Sequence, residues 1–422
     1  RPPRSTLFPY TTLFRSISEE GFMEPVKAVI NNLKLRTSYG FTGNTEIGVY
    51  ESLATLESNS WTIGNQLVSG FYPNRIPNPD LKWEKTGQFD IGFDLGLFNN
   101  RLRLTADYYY KKTTDLLYNV AIPSASGYDS MLKNIGSVQN KGYELSIESD
   151  NLSGAFSWTT AFNISFNRNK VLELGGETYK DVGTYDDHLK TSDIRRLIVG
   201  QPIGVFYGYR FDGIFQNEAE CAQQTSSPSP IGVGLRRYKD LNGDGKIDAT
   251  NDREILGDAN PKFFGGMTNT FAYRGFELNV FLQYSYGNKI FNYNAMELES
   301  PTGGQNVYQD LVNRWTPTNP SNEYQKATTN RNNIVSDRFI EDGSFLKLKT
   351  VSLSYSFPKL NWKHIGGLRL YVTGQNLLTW TKYRGYDPEV SYRGASTLEA
   401  GEDFGGYPQA RTFMFGIKLD IK

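Results

Sequence analysis

One segment of the sequence carries oxygen-bearing residues at the spacing that a calcium-binding loop uses. It runs from Asp240 to Asp248, with side-chain oxygens at loop positions 1, 3, 5 and 9, a glycine at 6 and a backbone carbonyl at 7. The residue at position 12, usually a bidentate acid, is Asn251. Two interpretations are open, namely a structural calcium ion that braces the loop and a Gly-Asp turn without an ion. Neither interpretation implies a chemical step. The candidate ligands are Asp240, Asn242, Asp244, Lys246 through its carbonyl, Asp248 and Asp252.

Aromatic residues outside the regular patterns form a second set of candidates, for contact with a ligand. Such rings can stack on sugar rings or contact peptide, and the alternative for each one is packing within a loop or in an aromatic girdle. The candidate contact residues are Trp61, Tyr185, Trp315, Tyr383 and Tyr386.

The sequence offers little for catalysis. Its two histidines, His188 and His364, lie far apart, and Cys221 is the only cysteine, so neither a zinc knot nor an intramolecular disulfide is available. The sequence has 45 Lys and Arg residues and 45 Asp and Glu residues, so its net charge is zero. This balance gives no electrostatic reason to expect nucleic-acid binding. We therefore expect no enzyme, no required cofactor and no nucleic-acid partner.

Alternation of apolar and polar residues dominates the chain from about Leu33 onwards. The runs are roughly 10 to 14 residues long, whereas strands of globular proteins typically have about 5–6 residues. A tilted strand needs about 9–11 residues to cross a bilayer, so the length of the runs favours membrane-spanning strands. The predicted strands are Leu33–Gly40, Thr86–Phe98, Arg101–Lys112, Asn140–Asp150, Ala155–Arg168, Lys262–Arg274, Gly275–Tyr286, Ser344–Phe357, Gly367–Thr379 and Gln409–Lys422.

The connections between these strands alternate strictly between long and short. Outer-membrane barrels have short turns on the periplasmic side and long loops outside, whereas a soluble β-sandwich has no reason to sort its connections in this way. The pattern predicts an all-β protein, a transmembrane antiparallel β-barrel. The short connections are Asn99–Asn100, Asn151–Gly154, Arg274–Gly275 and Pro358–Gly366.

The first sixteen residues, Arg1 to Ser16, read RPPRSTLFPYTTLFRS. They match the translation of a common short-read sequencing adapter along their whole length. We therefore predict that residues 1–16 are an artefact and not native, that residues 17–422 are the protein, and that the gene is truncated upstream.

Several ordered motifs after Ser16 resemble the SusC/RagA family of TonB-linked outer-membrane proteins. They include the family's NP-x-L-x-WE segment, its N-x-G-x-E strand start, its G-Y-x-x-DGIF element, its DxNGDG run with a following NP, and two late strands. In this sequence they lie at Asn78–Lys85, Asn140–Glu144, Gly204–Phe215, Asp240–Gly245, Asn260–Lys262, Phe345–Lys349 and Gly374–Leu377.

The resemblance implies that residues 17–422 are the C-terminal portion, about ten strands, of a 22-stranded barrel whose plug is absent here. It implies TonB-dependent import of nutrient oligomers, glycan or peptide, through the outer membrane of a Gram-negative cell. The implied partners are outer-membrane lipid, a SusD-like lipoprotein, the TonB–ExbB–ExbD complex reached through the missing N-terminal part, and an oligosaccharide or peptide ligand. The alternative is a soluble, secreted β-rich binding or adhesion protein braced by calcium.

Overall fold

The computed structural model describes residues 11–44, 50, 52–121, 128, 130–183, 194–300, 306–329, 333–357, 365–392, 394, 396 and 398–421. Its main feature is an eleven-stranded antiparallel sheet in which each strand pairs with the next sheet strand along the chain. The strands are β1 Thr11–Ser16, β2 Ile30–Asn44, β3 Glu84–Leu97, β4 Leu102–Thr114, β5 Ser137–Leu152, β6 Phe156–Glu173, β7 Phe263–Tyr273, β8 Phe276–Tyr286, β9 Phe345–Phe357, β10 Ile365–Thr381 and β11 Thr412–Ile421.

Strands β2 to β11 confirm the ten predicted strands. Most bounds agree within a few residues, and β2 differs most, because its ladder with β3 continues to the pair Asn44 and Glu84, beyond the apolar stripe that marked the strand in the sequence. Among the described residues no pairing joins β1 to β11, so the sheet is open at both edges. Such a sheet is part of a barrel wall.

The short connections Asn99–Asn100, Asn151–Gly154 and Arg274–Gly275 form tight turns at one end of the sheet, whereas most of Pro358–Gly366 lies outside the described residues. Phe98, Asn99 and Asn100 have φ values of 54°, 58° and 60°, and Arg274 and Gly275 have 45° and 89°. Positive φ at consecutive central residues gives the turn a twist that matches the flanking strands. The Asn pair and the Arg-Gly pair were predicted to make these turns, and the prediction is confirmed. The long connections all leave from the opposite end.

The two faces of the sheet differ in polarity. The register places Leu278 of β8 between Phe271 and Leu353, and it places the next residue, Asn279, between Thr270 and Ser352. Large apolar side chains remain exposed along the first face, including Ile91, Phe276, Phe415 and Ile417. A large exposed apolar surface is unfavourable in water and suits contact with lipid. We call the two surfaces the apolar face and the polar face.

Strand β1 is an addition to the ten predicted strands and lies in the segment predicted to be an artefact. It pairs with β2 along its whole length, yet its side chains do not follow the polarity of the sheet. Arg15 lies opposite Leu35 on the apolar face, and Phe14 lies opposite Arg36 on the polar face. Backbone pairing at an open edge requires only an extended chain. The adapter origin of residues 1–16 stays a prediction.

The described parts of connections 174–262, 287–344 and 382–411 fold together into a body that we call the cap. Its core contains Ile194, Phe206, Phe291, Tyr293, Met296 and Phe339. Its strands are Tyr179–Val182, Arg195–Ile198, Val205–Tyr209, Phe211–Ile214, Arg236–Tyr238, Arg253–Asp258, Lys289–Asn292, Ile340–Asp342 and Glu402–Asp403. Its helices are α1 Glu218–Cys221 and α2 Tyr293–Leu298, with 3-10 turns at Gln309–Asn313 and Asp337–Phe339.

The two other long connections form separate hairpins. Thr55–Ile63 pairs with Gln66–Arg75, and Leu117–Ala121 pairs with Ser130–Asn134. Two 3-10 turns, Ile17–Glu19 and Gly21–Val26, lie between β1 and β2. Among the described residues, no helix is both long and apolar enough to cross a membrane.

Candidate functional site

The polar face of β2, β3 and β4 carries a charged cluster centred on Arg36. Its guanidinium lies 3.0 Å from a carboxylate oxygen of Asp94 and 3.0 Å from one of Asp107. Gly92 lies between these groups, and a Cβ atom there would be only 2.0 Å from Oδ1 of Asp107. The glycine therefore leaves the space through which Asp107 reaches Arg36.

A cavity of about 560 Å³ lies against this cluster. Charged and hydroxyl-bearing side chains line it, so it can exchange hydrogen bonds with a polar solute as readily as with water. An apolar pocket would instead favour a drug-like apolar ligand. The principal lining residues are Arg36, Ser38, Asp90, Tyr109, Lys111 and Glu144.

Buried ion pairs join the three connections that make up the cap. Arg195 and Glu402 are both buried, and Arg195 Nε lies 2.9 Å from Glu402 Oε1. Glu299, also buried, is shared by Arg338 at 2.7 Å and Arg384 at 3.2 Å. Removing one partner of such a pair leaves a buried charge without compensation. The cap is therefore held as one body by charge pairing as well as by its apolar core.

A second buried cluster fastens connection 382–411 to the polar face of the sheet, and we call it the loop anchor. It consists of Gln283, Lys347, Lys349, Asp387 and Glu389. Lys347 of β9 is 2% exposed, and its Nζ lies 2.6 Å from Asp387 Oδ1 and 2.5 Å from Glu389 Oε2. Lys349 lies 3.0 Å from the same carboxylate of Glu389, whose other oxygen accepts a hydrogen bond from Gln283 of β8.

The anchor changes the acidity of its two carboxyl groups. Burial acts to raise the pKa of Asp387, but hydrogen bonds from Lys347 and from the backbone N–H groups of Glu389 and Gln409 outweigh it and hold that pKa below its ordinary value. Burial likewise acts to raise the pKa of Glu389, and its bonds to Lys347 and Lys349 lower it overall. Both groups are therefore ionised at neutral pH.

The candidate calcium loop folds as a turn whose carboxylates face its own backbone. Asp240 accepts hydrogen bonds from the N–H groups of Gly243 and Gly245 at 2.6 and 2.7 Å. Asp252 is fully buried and accepts from the N–H groups of Leu241 and Asp248, both at 2.8 Å.

The side chains of Asn242, Asp244 and Asp248 are engaged in the same way. Asn242 and Asp244 accept from the N–H groups of Asp244 and Lys246, and Asp248 accepts from two N–H groups at the end of the loop. Within the part of the chain that the structure describes, no three His, Cys, Asp or Glu side chains are grouped so as to hold a metal ion. This geometry is that of a self-capped turn, and calcium binding stays a prediction.

The predicted ligand-contact aromatics are dispersed. Trp61 lies on the exposed hairpin of connection 45–83, and Tyr386 is 83% exposed in the cap. Trp315 is half-buried and donates a hydrogen bond from Nε1 to Gln216. Tyr383 is 5% exposed and donates its hydroxyl hydrogen to Asp403, so its ring packs inside the cap. Tyr185 lies outside the described residues, and ligand contact by any of these residues stays a prediction.

Sequence reasoning missed both the loop anchor and Tyr407, which is 90% exposed. The only signal for the anchor was Lys347 at a polar position of an alternating strand, which reads as an ordinary wall residue. Its partners Asp387 and Glu389 are 40 and 42 residues away in sequence. Only the fold of connection 382–411 brings these charges together.

Comparison with known proteins agrees with this geometry. Residues 26–377 match the family described as "TonB dependent receptor-like, beta-barrel". TonB-dependent receptor P3 of Formosa agariphila is 40% identical over 421 residues, covering 98% of this chain and 41% of the relative. TonB-dependent receptor SusC of Bacteroides thetaiotaomicron is 29% identical over 429 residues, covering 98% and 40%. The solved structure of the RagAB peptide transporter matches with a TM-score of 0.81 and 27% identity, covering 98% and 43%.

The chain belongs to the TonB-dependent receptor family and forms part of its β-barrel. It spans about two fifths of the length of the curated relatives that it matches. The matched relatives are receptors and not enzymes, and membership of this β-barrel family places the chain in the outer membrane. The resemblance drawn from the sequence motifs is confirmed, and the alternative of a soluble secreted protein is wrong.

Proposed function

We propose that the full-length receptor containing this chain imports nutrient oligomers, glycan or peptide, across the outer membrane. The ligand would be captured at the cap together with a SusD-like lipoprotein. The TonB–ExbB–ExbD complex would then act through the N-terminal part of the receptor to open a path along the polar face to the periplasm. The similarity to SusC and to the RagAB peptide transporter supports this proposal.

One observation carries the proposal, namely the difference between the two faces of the sheet. A single-layer wall that leaves large apolar side chains exposed on one side and carries charged groups on the other suits the boundary between lipid and water. Arg36 forms ion pairs with Asp94 and Asp107 across neighbouring strands, and Asp90 and Lys111 line the adjoining cavity. A polar oligomer passing this wall can replace water at these groups one contact at a time, so no single step loses many hydrogen bonds.

The hairpin formed by Thr55–Ile63 and Gln66–Arg75 supports the lipoprotein partner. Leu56, Leu67 and Phe71 share one of its faces, and all three are exposed. An isolated two-stranded hairpin is only marginally stable in water, and a patch of large exposed apolar side chains marks an interaction surface. The hairpin lies in a long connection, on the side of the sheet where an external partner would dock.

Uptake by the full-length receptor tests the proposed function. Cells that express the receptor with its neighbouring lipoprotein would be given labelled neutral hexaoses (malto-, cello-, xylo- and laminarihexaose) and a library of tri- to octapeptides. We expect uptake of at least one probe, and we expect this uptake to stop when TonB is deleted. Uptake that persists without TonB would contradict the proposal. The absence of uptake of every probe would also contradict it.

A further inference from the structure

Connection 382–411 is held at two places along its first eight described residues, first within the cap and then at the polar face of the sheet. Tyr383 is buried and bonded to Asp403, and Arg384 pairs with Glu341 and Glu299. A few residues later, Asp387 and Glu389 enter the loop anchor. The backbone between these two places therefore has little freedom to move.

Of the two tyrosines in this held segment, one is buried and the other faces outward. Gly385 permits the close packing, because a Cβ atom there would lie 2.3 Å from the ring of Tyr383. Tyr386, the next residue, is 83% exposed. Folding thus fixes the backbone on both sides of Tyr386 and leaves its ring free of protein contacts that would bury it.

The same anchor also holds the returning arm of the connection. Asp387 Oδ2 accepts a hydrogen bond from the backbone N–H of Gln409 at 3.2 Å. Tyr407, two residues before Gln409, is 90% exposed. One buried carboxylate, itself paired with Lys347, therefore ties together the two arms that carry these tyrosines.

We propose that Tyr386 and Tyr407 stack on sugar rings of a neutral oligosaccharide, and that Asp387 is the positioning residue for both. The inference rests on the proposed import function and names the substrate class. A tyrosine whose backbone is already ordered contributes a large contact area at a low cost in conformational entropy. Such rings are effective recognition groups only if the backbone that carries them is rigid, and the loop anchor holds that backbone in place.

The charge around the two rings favours a neutral sugar. In the loop anchor the two carboxylates of Asp387 and Glu389 are balanced by the two ammonium groups of Lys347 and Lys349. In the sequence a glycine precedes each of the two tyrosines and a proline follows Tyr407, so apart from Asp387 the adjacent residues are uncharged. What remains is an aromatic face with a hydroxyl group, which complements the C–H face and the hydroxyl groups of a pyranose.

Equilibrium binding of the four neutral hexaoses and the peptide library to the purified full-length receptor tests this inference. We expect Tyr386→Ala and Tyr407→Ala each to weaken hexaose binding about tenfold, which is the usual size of a lost aromatic contact. Tyr386→Phe keeps the ring and should bind nearly as the unmodified receptor does. Tyr50→Ala, which removes another exposed tyrosine (70%) from a different connection, is the control and should have no effect.

A cycle of substitutions separates positioning from general damage. Asp387→Asn alone should weaken hexaose binding, but it should cause no further loss in a receptor that already carries Tyr386→Ala and Tyr407→Ala. A loss of the same size in both backgrounds would overturn the positioning role. Unchanged hexaose binding by the two tyrosine variants, in a receptor that still imports hexaose, would overturn the inference alone. If the two tyrosines contributed to the binding of peptides but not of hexaoses, the proposed substrate class would be overturned. Uptake that does not depend on TonB would overturn the proposed function itself.

Discussion

Single buried charges determine how firmly the cap holds together. Glu299 is 1% exposed and compensates both Arg338 and Arg384. Such a carboxylate has no water to replace its partners when one of them is lost. Exposed pairs on the same chain behave differently, since Arg369 and Glu277 are 39% and 42% exposed and remain solvated.

Glu299→Gln should destabilise the cap, because two guanidinium groups would lose their shared charge. We expect a loss of about 3–5 kcal/mol, as for other broken buried pairs. The rate of tryptic cleavage within the cap of the full-length receptor measures this change. Glu277→Gln removes a carboxylate from the exposed pair and should cost about 0–1 kcal/mol. Equal cleavage rates for the two variants would contradict the assignment.

The loop anchor should respond to acid. Hydrogen bonds with Lys347 hold the pKa of Asp387 below its ordinary value of about 3.9, so the anchor contributes its full stability above that value. This stability is lost as the pH falls through the depressed pKa. A spin label at Ala410→Cys, with Cys221→Ala as background, should keep constant mobility from pH 7 to about pH 4 and become mobile below it.

Lys347→Met provides the comparison for the acid response. Without this ammonium group, the effect of burial is opposed only by the backbone N–H groups at Asp387 and by Lys349 at Glu389, so both pKa values should rise. The mobility change should then move to higher pH. A spin label that already becomes mobile near pH 6 in the unmodified receptor would show that the anchor does not hold the connection.

At the scale of elements, strand polarity decides which substitutions the wall tolerates. Val280 and Asn279 are neighbours in the middle of β8 and point to opposite faces of the sheet. Val280→Arg would place a charge against lipid, at a cost of about 2–4 kcal/mol, and should lower the amount of folded receptor in the outer membrane. Asn279→Arg places the same charge on the polar face and should be tolerated. Equal yields of the two variants would contradict the assignment of faces.

The apolar hairpin of connection 45–83 should contribute to partner docking. Leu67→Ser with Phe71→Ser removes two exposed apolar side chains from one of its faces and should lower the co-purified fraction of the SusD-like lipoprotein about tenfold. Val312→Ser, which changes an exposed apolar residue of the cap, is the control. Full recovery of the lipoprotein with the double variant would exclude the hairpin as the docking surface.

The elements also show which features a sequence can reveal. Alternation along β8 and the Asn pair after β3 are local signals, so the ten long strands and their tight turns followed directly from the residues. The cap gives no such signal, because its strands are short and their partners are distant in sequence. Arg195 and Glu402, for example, are 207 residues apart. The loop anchor was missed for the same reason.

At the scale of the whole molecule, the eleven-stranded sheet is open along β1 and β11 in the described structure. Unpaired backbone N–H and C=O groups at such edges cost several kcal/mol each in lipid, so a stable wall requires the strands to close into a barrel. The chain spans about two fifths of the length of its curated relatives. We therefore expect closure of the barrel, and the proposed import, to require the full-length receptor.

A membrane-spanning barrel requires the long and the short connections to lie on opposite sides of the membrane. Single cysteines at Ala249 in the cap and at Ser153 in a short turn, with Cys221→Ala as background, can be labelled with a membrane-impermeant maleimide on intact cells. We predict that Ala249→Cys is labelled at once and that Ser153→Cys is labelled only after the outer membrane is permeabilised. Labelling of Ser153→Cys on intact cells, to the same extent as Ala249→Cys, would contradict a membrane-spanning barrel.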